Sequence, residues 1–177
     1  MPKIFIEGNH KCAEGSSEYQ AAEKIAYELS KKGFDIVGST GKGVSEAAFN
    51  GAIKGNNNSK RIAIDCNEFK FEKNSKYSEV IATDNYFEMK KQNCTIPDAF
   101  IFFTGSFNVL SNLFIILQLK ELELMGEKTV ICIGEQLEEG LSACSFYNED
   151  ILDSFGQIFF VEKSEDAVTK ILENFKV

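Results

Sequence analysis

Short apolar runs alternate along the chain with longer segments in which apolar residues recur at helical spacing. The helical segments are 17–32, 44–52, 86–93, 165–175 and the one that runs from Val109 to Leu124. Between them lie seven runs with the length and the β-branched or aromatic content of strands, at 3–7, 34–37, 61–65, 79–82, 99–103, 129–133 and 157–161. Strand and helix therefore alternate from one end of the chain to the other.

The strand-like runs themselves indicate a parallel sheet. Runs such as Phe100 to Phe103 and Val130 to Ile133 are apolar on both faces, as parallel strands need to be when helices cover both sides. Alternation of such strands with helices predicts right-handed crossovers. We therefore expect an α/β fold, a doubly wound Rossmann-like domain of about seven mostly parallel strands with helices on both faces.

Length and composition support one folded domain. The 177 residues are 44% apolar and 26% charged, which is an ordinary globular mixture and is enough for one domain over 1–177. The stretch from Cys66 to Ser78 is the one irregular region, rich in Lys, Asn, Glu and Ser. We expect it to be a long surface loop that could cover a site.

Charge and cysteine content narrow the possible partners. A net charge of -8 argues against broad electrostatic capture of nucleic acid or of an anionic membrane. No run approaches the roughly 18 apolar residues of a membrane helix. We expect a cytoplasmic protein without a metal site, because its five cysteines are widely spaced and form no C-x-x-C pair: Cys12, Cys66, Cys94, Cys132 and Cys144.

Three small polar turns follow the first, second and fifth strands. They are Gly8-Asn9-His10, the stretch from Ser39 to Gly43, and the stretch from Thr104 to Asn108. Ligands of parallel sheets bind beyond the carboxyl ends of the strands, where glycine lets backbone amides approach an anion and a following helix points its free N–H groups at it. We expect the turns after the second and fifth strands to lie on adjacent strands and to form a phosphate cradle.

The second of these turns also carries a family pattern. The sequence Ser-Thr-Gly-Lys-Gly-Val-Ser-Glu-Ala-Ala from Ser39, followed by Gly51-Ala52, resembles the G-G-G-x-G-(I/V)-M-E-A-A…G-A stretch of LOG (Lonely Guy) proteins. Asp98 to Ser106 similarly occupies the place of the family's D-A-F-I-x-L-P-G-G segment. These proteins, long described as possible lysine decarboxylases, belong to a superfamily of Rossmann-like proteins that includes the molybdenum-cofactor carriers. The resemblance covers nearly the whole chain.

The resemblance implies hydrolysis of the N-glycosidic bond of a nucleoside 5′-monophosphate, but the chain departs from the family at both catalytic positions. The family's arginine falls on Met89 and its glutamate on Asn112. A thioether cannot hold a phosphate and an amide cannot act as a general base, so we expect little hydrolysis unless neighbours substitute. The possible substitutes are Glu88, Lys90 and Lys91.

The ligand-binding candidates come from the three turns and from the helix after the second. Lys42 could contact phosphate or be solvated, and Glu46 could contact a nucleotide or simply favour the first turn of its helix. His10 is the only histidine, and we expect it to be solvated. The full candidate set is Gly8, Asn9, Gly41, Lys42, Gly43, Glu46, Thr104, Gly105, Ser106, Asn108 and Val109.

The helix from Val109 to Leu124 is apolar almost all round, so one side should face the sheet and another side a partner. We expect a homodimer in which Ile116 and Leu117 face the symmetry mate, in agreement with the dimer helices of the resembled family. The favoured function is binding of a nucleoside monophosphate or related phosphorylated ligand, without efficient hydrolysis and without a further cofactor. The alternatives are a nucleoside 5′-monophosphate phosphoribohydrolase, and a structural or partner-binding homodimer with a vestigial pocket.

Overall fold

Seven parallel strands form a single sheet at the centre of the computed structural model, which describes residues 1–70, 72–144 and 155–177. Their order is β4-β3-β2-β1-β5-β6-β7, and every neighbouring pair is parallel. The strands are β1 (Lys3–Glu7), β2 (Asp35–Ser39), β3 (Arg61–Cys66), β4 (Glu79–Thr83), β5 (Ala99–Phe103), β6 (Thr129–Ile133) and β7 (Ile158–Val161). The doubly wound Rossmann-like α/β fold is thus confirmed, and all seven predicted strands are present.

Six helices cover the sheet within the described residues. They are α1 (Ser17–Lys31), α2 (Val44–Gly55), α3 (Tyr86–Thr95), α4 (Phe107–Glu121), α5 (Glu135–Cys144) and α6 (Ser164–Phe175). Helix α5 was not predicted, because only Leu137 and Leu141 give its sequence an apolar stripe. Helix α4 begins two residues earlier than predicted because the Ser106 side chain caps it, accepting a hydrogen bond from the backbone N–H of Asn108.

The strand side chains separate into two cores. On β1, Ile4 and Ile6 pack under α1, α2 and α6, whereas Phe5 packs under α3, α4 and α5 beside Phe100 and Phe102. This alternation follows from the twofold side-chain period of a strand. Both faces of the central strands are therefore sealed from water, and polar groups of the sheet can reach a ligand only at its edges.

The buried face of α4 corrects one expectation about the interface. Ile116 and Leu117 are buried in the core, so they do not face outward toward a partner. The exposed side of the helix instead carries Phe107 and Phe114. The sequence pattern could not separate these faces because apolar residues surround the helix almost completely.

The cysteines whose side chains the structure describes form no disulfide. Cys12, Cys66, Cys94 and Cys132 are unpaired thiols, and the side chain of Cys144 lies outside the described residues. Within the part of the chain that the structure describes, no helix is both long enough and apolar enough to span a bilayer.

Helices α1 and α2 pack closely against each other at Gly51. A Cβ atom at Gly51 would overlap the backbone carbonyl oxygen of Glu23 on α1. Backbone atoms cannot move aside as the end of a side chain can, so any larger residue must push the two helices apart. Gly140 on α5 is the opposite case, since a Cβ there would have no atom within 4 Å.

We expect Gly51→Ala to lower the free energy of unfolding by about 1–3 kcal/mol through overpacking. Gly140→Ala is the matched control and should raise it by about 0.5–1 kcal/mol, because alanine favours the helix. Urea denaturation followed by far-UV circular dichroism measures both, since the chain has no tryptophan. Equal stability of Gly51→Ala and wild type would contradict the close approach of the two helices.

Candidate functional site

Three turns converge at the carboxyl edge of the sheet around the end of β1. The turns that carry Gly41 and Gly105 follow β2 and β5. We expected these two strands to be adjacent, and that expectation was wrong, because β1 lies between them. The turn after β1 fills the gap: a Cβ atom at Gly8 would lie 2.7 Å from Cβ of Phe103 and 2.8 Å from Cγ2 of Val44. Parallel α/β sheets bind ligands at this kind of position, where the strand order reverses.

Glycine is needed where these turns meet. Gly43 has a φ of +69°, and a Cβ there would overlap the carbonyl oxygen of Asn9, which also accepts a hydrogen bond from the N–H of Val44 at 3.3 Å. A Cβ at Gly105 would overlap the side chain of Val109. Gly43 and Gly105 therefore hold the turns together, and they position the site without lining it.

A cavity of about 440 Å³ opens between the three turns, α3 and the loop after β3. Of the predicted ligand-binding residues, Gly8, Gly41, Lys42, Ser106 and Asn108 line it, together with His10. Six do not: Asn9, Gly43, Glu46, Thr104, Gly105 and Val109. The remaining lining residues are Glu7, Ser39, Ser45, Ile64, Cys66, Phe69, Glu72, Tyr86, Met89 and Asn93.

The floor of the cavity holds a buried carboxylate. Glu7 ends β1 and is only 4% exposed. Its two oxygens accept hydrogen bonds from the side-chain amides of Asn108, at 2.5 Å, and Asn112, at 2.6 Å. Burial raises the pKa of Glu7 above its ordinary value of 4.5, whereas the Asn112 hydrogen bond, the charge of Lys90 and the Asn108 hydrogen bond oppose that rise.

A buried lysine fixes the direction of both asparagine amides. Nζ of Lys90, on α3, donates to Oδ1 of Asn108 at 2.7 Å and to Oδ1 of Asn112 at 2.8 Å. It also donates to Oγ of Ser111 at 2.7 Å and lies over the Tyr86 ring, 5.0 Å from its centroid. Because the lysine occupies the amide oxygens, the amide N–H groups must point at the carboxylate. Glu7 and Lys90 thus form an ion pair bridged by two asparagines.

The two positions that correspond to the catalytic residues of LOG proteins lie in different surroundings. Met89 lines the cavity, whereas Asn112 is fully buried beneath it. Among the possible substitutes, Lys90 lies beside Asn112 but does not line the cavity. Glu88 and Lys91 do not line it either and pair with each other, with 3.6 Å between Oε1 and Nζ.

The loop after β3 covers the cavity, as its composition led us to expect. The Phe69 and Tyr86 rings contact each other with 5.8 Å between their centroids, and both line the cavity. Deeper in the loop, the buried Asn74 donates from its backbone N–H to the Thr40 carbonyl at 2.8 Å and from its side-chain amide to the Gly41 carbonyl at 2.5 Å. The loop is therefore fastened to the turn after β2.

An ion pair beneath this loop strengthens the attachment. Nζ of Lys73 lies 2.6 Å from Oδ2 of Asp65, and the Thr40 hydroxyl donates to Oδ1 of Asp65 at 2.7 Å. Burial tends to raise the pKa of Asp65, but the hydrogen bonds from Lys73 and Thr40 outweigh it and hold the pKa below its ordinary value. At the rim, Lys42 and Glu72 form an exposed pair at 2.5 Å. Lys42 is thus exposed to solvent and also paired with Glu72.

Sequence reasoning missed Glu7 and Asn93 as cavity residues. Glu7 did leave a signal, since a charged residue at the end of an otherwise apolar central strand, directly before Gly8, is unusual. Asn93 left none, because an asparagine near the end of a polar helix is unremarkable. Only the packing of α3 against the carboxyl edge brings it to the cavity.

Comparisons with known proteins identify the fold. No family model and no curated protein matches the chain. Among solved structures, the molybdenum cofactor binding protein of Rippkaea orientalis has a TM-score of 0.76 at 18% identity, with 98% of this chain and 97% of that chain covered. The molybdenum cofactor carrier protein of Chlamydomonas reinhardtii has a TM-score of 0.75 at 14% identity, with 99% of both chains covered.

A third similar structure is named for a different ligand. DNA processing protein A of Helicobacter pylori, which is described as binding single-stranded DNA, has a TM-score of 0.67 at 14% identity, with 98% of this chain and 81% of that chain covered. At these identities the likenesses show the fold alone. They are consistent with the fold of the LOG resemblance and do not confirm membership of that family.

The buried carboxylate makes stability depend on pH in a defined direction. Because the pKa of Glu7 in the folded protein lies above 4.5, its share of the stability is fully present below that pH and is lost as the pH rises through the folded pKa. We therefore expect the unfolding free energy of wild type minus that of Glu7→Gln to fall as the pH rises from 4.5 and to level off above the folded pKa.

Urea denaturation at a series of pH values measures this difference. Glu121→Gln, at the exposed end of α4, makes the same change of charge outside the cavity and serves as the control. A Glu7 difference that rises with pH would mean that the pKa is lowered and that the asparagines and Lys90 outweigh burial.

Proposed function

We propose that this chain binds a small phosphorylated ligand with a planar ring, such as a nucleoside monophosphate, and does not hydrolyse it efficiently. The observation that carries the proposal is the cavity itself, which joins two glycine turns at the starts of α2 and α4 to an aromatic wall on α3 and the covering loop. Its volume of about 440 Å³ lies in the range of small-molecule sites.

The phosphate end of the ligand is best placed between Gly41 and Ser106. Helix α2 begins after Gly43 without a side-chain cap. The Val44 N–H donates to the Asn9 carbonyl and Glu46 lies in the first turn, but no capping side chain shields the other N–H groups of that turn. Helix α4 begins after Ser106 and has no acidic residue in its first turn. Helix N-termini favour anions, and two of them at one cavity edge support binding of a phosphate.

The ring end is best placed against Phe69, Tyr86 and Met89. These side chains form an apolar wall next to the phosphate end, and aromatic rings and thioethers pack well on flat heterocycles. Two fold neighbours are described as binding or carrying a molybdenum cofactor, and this supports binding without turnover as a use of the fold.

The described side chains disfavour hydrolysis. Met89 provides no charge for a phosphate or ribose, and Asn112 holds its neighbours in place. Nζ of Lys90 already donates hydrogen bonds to oxygens of Asn108, Ser111 and Asn112. It therefore cannot replace an arginine, whose guanidinium would hold the ligand with two parallel hydrogen bonds. Glu7 is the carboxylate at the cavity floor, and it is the residue on which the hydrolase alternative depends.

We expect wild type to bind adenosine monophosphate without releasing base, because a missing acid or base typically costs ~100- to 10,000-fold in rate. Simple restoration by Met89→Arg with Asn112→Glu should fail, since a carboxylate at 112 would face Glu7. The triple variant Glu7→Gln, Met89→Arg, Asn112→Glu removes that repulsion and should release base above wild type. Chromatography over hours follows the free base.

Calorimetry with adenosine monophosphate provides the binding arm of this experiment. Ser106→Asp, which places a charge at the expected phosphate position, should abolish binding while far-UV circular dichroism stays unchanged. Absence of affinity for every nucleoside monophosphate and for inorganic phosphate would overturn the proposed function. Robust wild-type turnover that Glu7→Gln abolishes would establish the hydrolase alternative instead.

We also propose that the chain is a homodimer through α4. Phe107 is 89% exposed and Phe114 is 40% exposed, and both lie on the side of the helix that faces away from the core. Partly buried apolar residues that also pack against the core flank this face, namely Leu110, Ile115 and Leu119. A contiguous apolar surface on one helix is typical of an isologous interface.

We expect Phe114→Asp to convert a wild-type dimer into a monomer, because the charge would be buried in the interface. Phe159→Asp is the matched control, since Phe159 is similarly exposed but lies on β7, where Nζ of Lys170 on α6 sits over its ring. Light scattering at micromolar concentration measures the mass of each protein. A monomeric wild type would remove the dimer proposal and leave the ligand site unaffected.

A further inference from the structure

Two polar side chains of the cavity have hydrogen-bonding capacity that the protein leaves unused. Each oxygen of Glu7 accepts one hydrogen bond from the described residues, although a carboxylate oxygen has room for a second. Asn93 is 4% exposed and lines the same cavity, yet its side-chain amide makes no hydrogen bond within the described residues. Among the described residues, Oε1 of Glu18 is the one fully buried side-chain nitrogen or oxygen without a hydrogen bond. The unpaired amide of Asn93 is therefore accessible from the cavity and available to a ligand.

The orientation of Glu7 determines what it can recognise. Lys90 holds the two asparagine amides in place, and they in turn hold the carboxylate, so Glu7 cannot turn away from the cavity without breaking those bonds. A carboxylate in its ionised form accepts hydrogen bonds and donates none, and the two asparagine N–H groups that donate to Glu7 favour that form. Lys90 also balances its charge, which limits the repulsion of a phosphorylated ligand.

Asn93 adds the opposite capacity. Its amide can donate to a carbonyl oxygen of the ligand, while Glu7 accepts from two N–H donors. A heterocycle edge that presents a carbonyl, a ring N–H and an amino group in sequence matches this set. That edge is the 2-amino-4-oxopyrimidine edge, which guanine and pterins share.

We propose that Glu7 and Asn93 select a ligand whose ring carries the 2-amino-4-oxopyrimidine edge, and that they discriminate against adenine. This inference rests on the proposed binding function and names its substrate class. Adenine would place a ring nitrogen lone pair toward the carboxylate where guanine places an N–H. A polar site rejects such analogues strongly because its own groups are then left unpaired.

Calorimetry of wild type with GMP, IMP and AMP tests the selection. GMP should bind roughly 10- to 100-fold more tightly than AMP, and IMP, which lacks the amino group, should fall between them. Neopterin serves as a fourth probe that separates the two sources of the edge. Binding of neopterin that depends on Glu7 would assign the site to pterins, and its absence alongside GMP binding would assign it to guanine nucleotides.

Two variants separate recognition from folding. Glu7→Gln replaces one acceptor by a donor and should reduce the ratio of GMP to AMP affinity by about tenfold or more. Asn93→Leu leaves the fold intact, since the amide has no partner within the described residues, and should lower the ratio by a similar factor. Glu121→Gln changes the charge at the far end of α4 and should leave both affinities unchanged.

The outcomes distinguish this inference from the proposed function. Equal affinity for GMP and AMP, or a preference for AMP, would overturn the selection by Glu7 and Asn93 while leaving phosphate binding established. A GMP preference that survives both variants would also overturn it. Failure of all four probes and of inorganic phosphate to bind would overturn the proposed function and this inference with it.

Discussion

A carboxylate buried at the end of the central strand constrains the rest of the site. Removing the Glu7 carboxylate from water costs several kcal/mol, as for other buried ions. Two asparagine amides and the charge of Lys90 act against that cost. These partners come from α3 and α4, so the requirement to compensate one charge fixes both helices against β1. Asn112, at the family's glutamate position, is part of that compensation.

The close approach of the three turns is the second constraint on the site. Gly8, Gly43 and Gly105 have no room for a side chain, because backbone atoms of the turn after β1 block Gly43 and packed side chains such as Phe103 and Val109 block the other two. The glycines that look like a phosphate motif in the sequence therefore have a structural role as well. Their packing exposes Gly41 and Ser106 at the cavity edge, where two helix starts can act on one anion.

Fold and ligand are separate conclusions for this protein. The fold neighbours share its architecture at 14% to 18% identity, and they are described as proteins of a molybdenum cofactor in two cases and of single-stranded DNA in the third. A doubly wound sheet supplies an edge at which ligands bind, while the side chains there decide which ligand. In this chain those side chains include Glu7, Asn93 and the aromatic wall.

The sequence by itself determined the alternation of seven strands with helices, and hence the fold, because apolar periodicity is local and strong in central strands such as Ala99–Phe103. It also located the glycine turns and the two substituted catalytic positions. Only the tertiary structure placed β1 between β2 and β5, turned Ile116 into the core and joined Glu7 to Lys90 through Asn112. Those contacts join residues from three separate elements, with Glu7 and Asn112 105 positions apart, and no local pattern encodes a pairing at that distance.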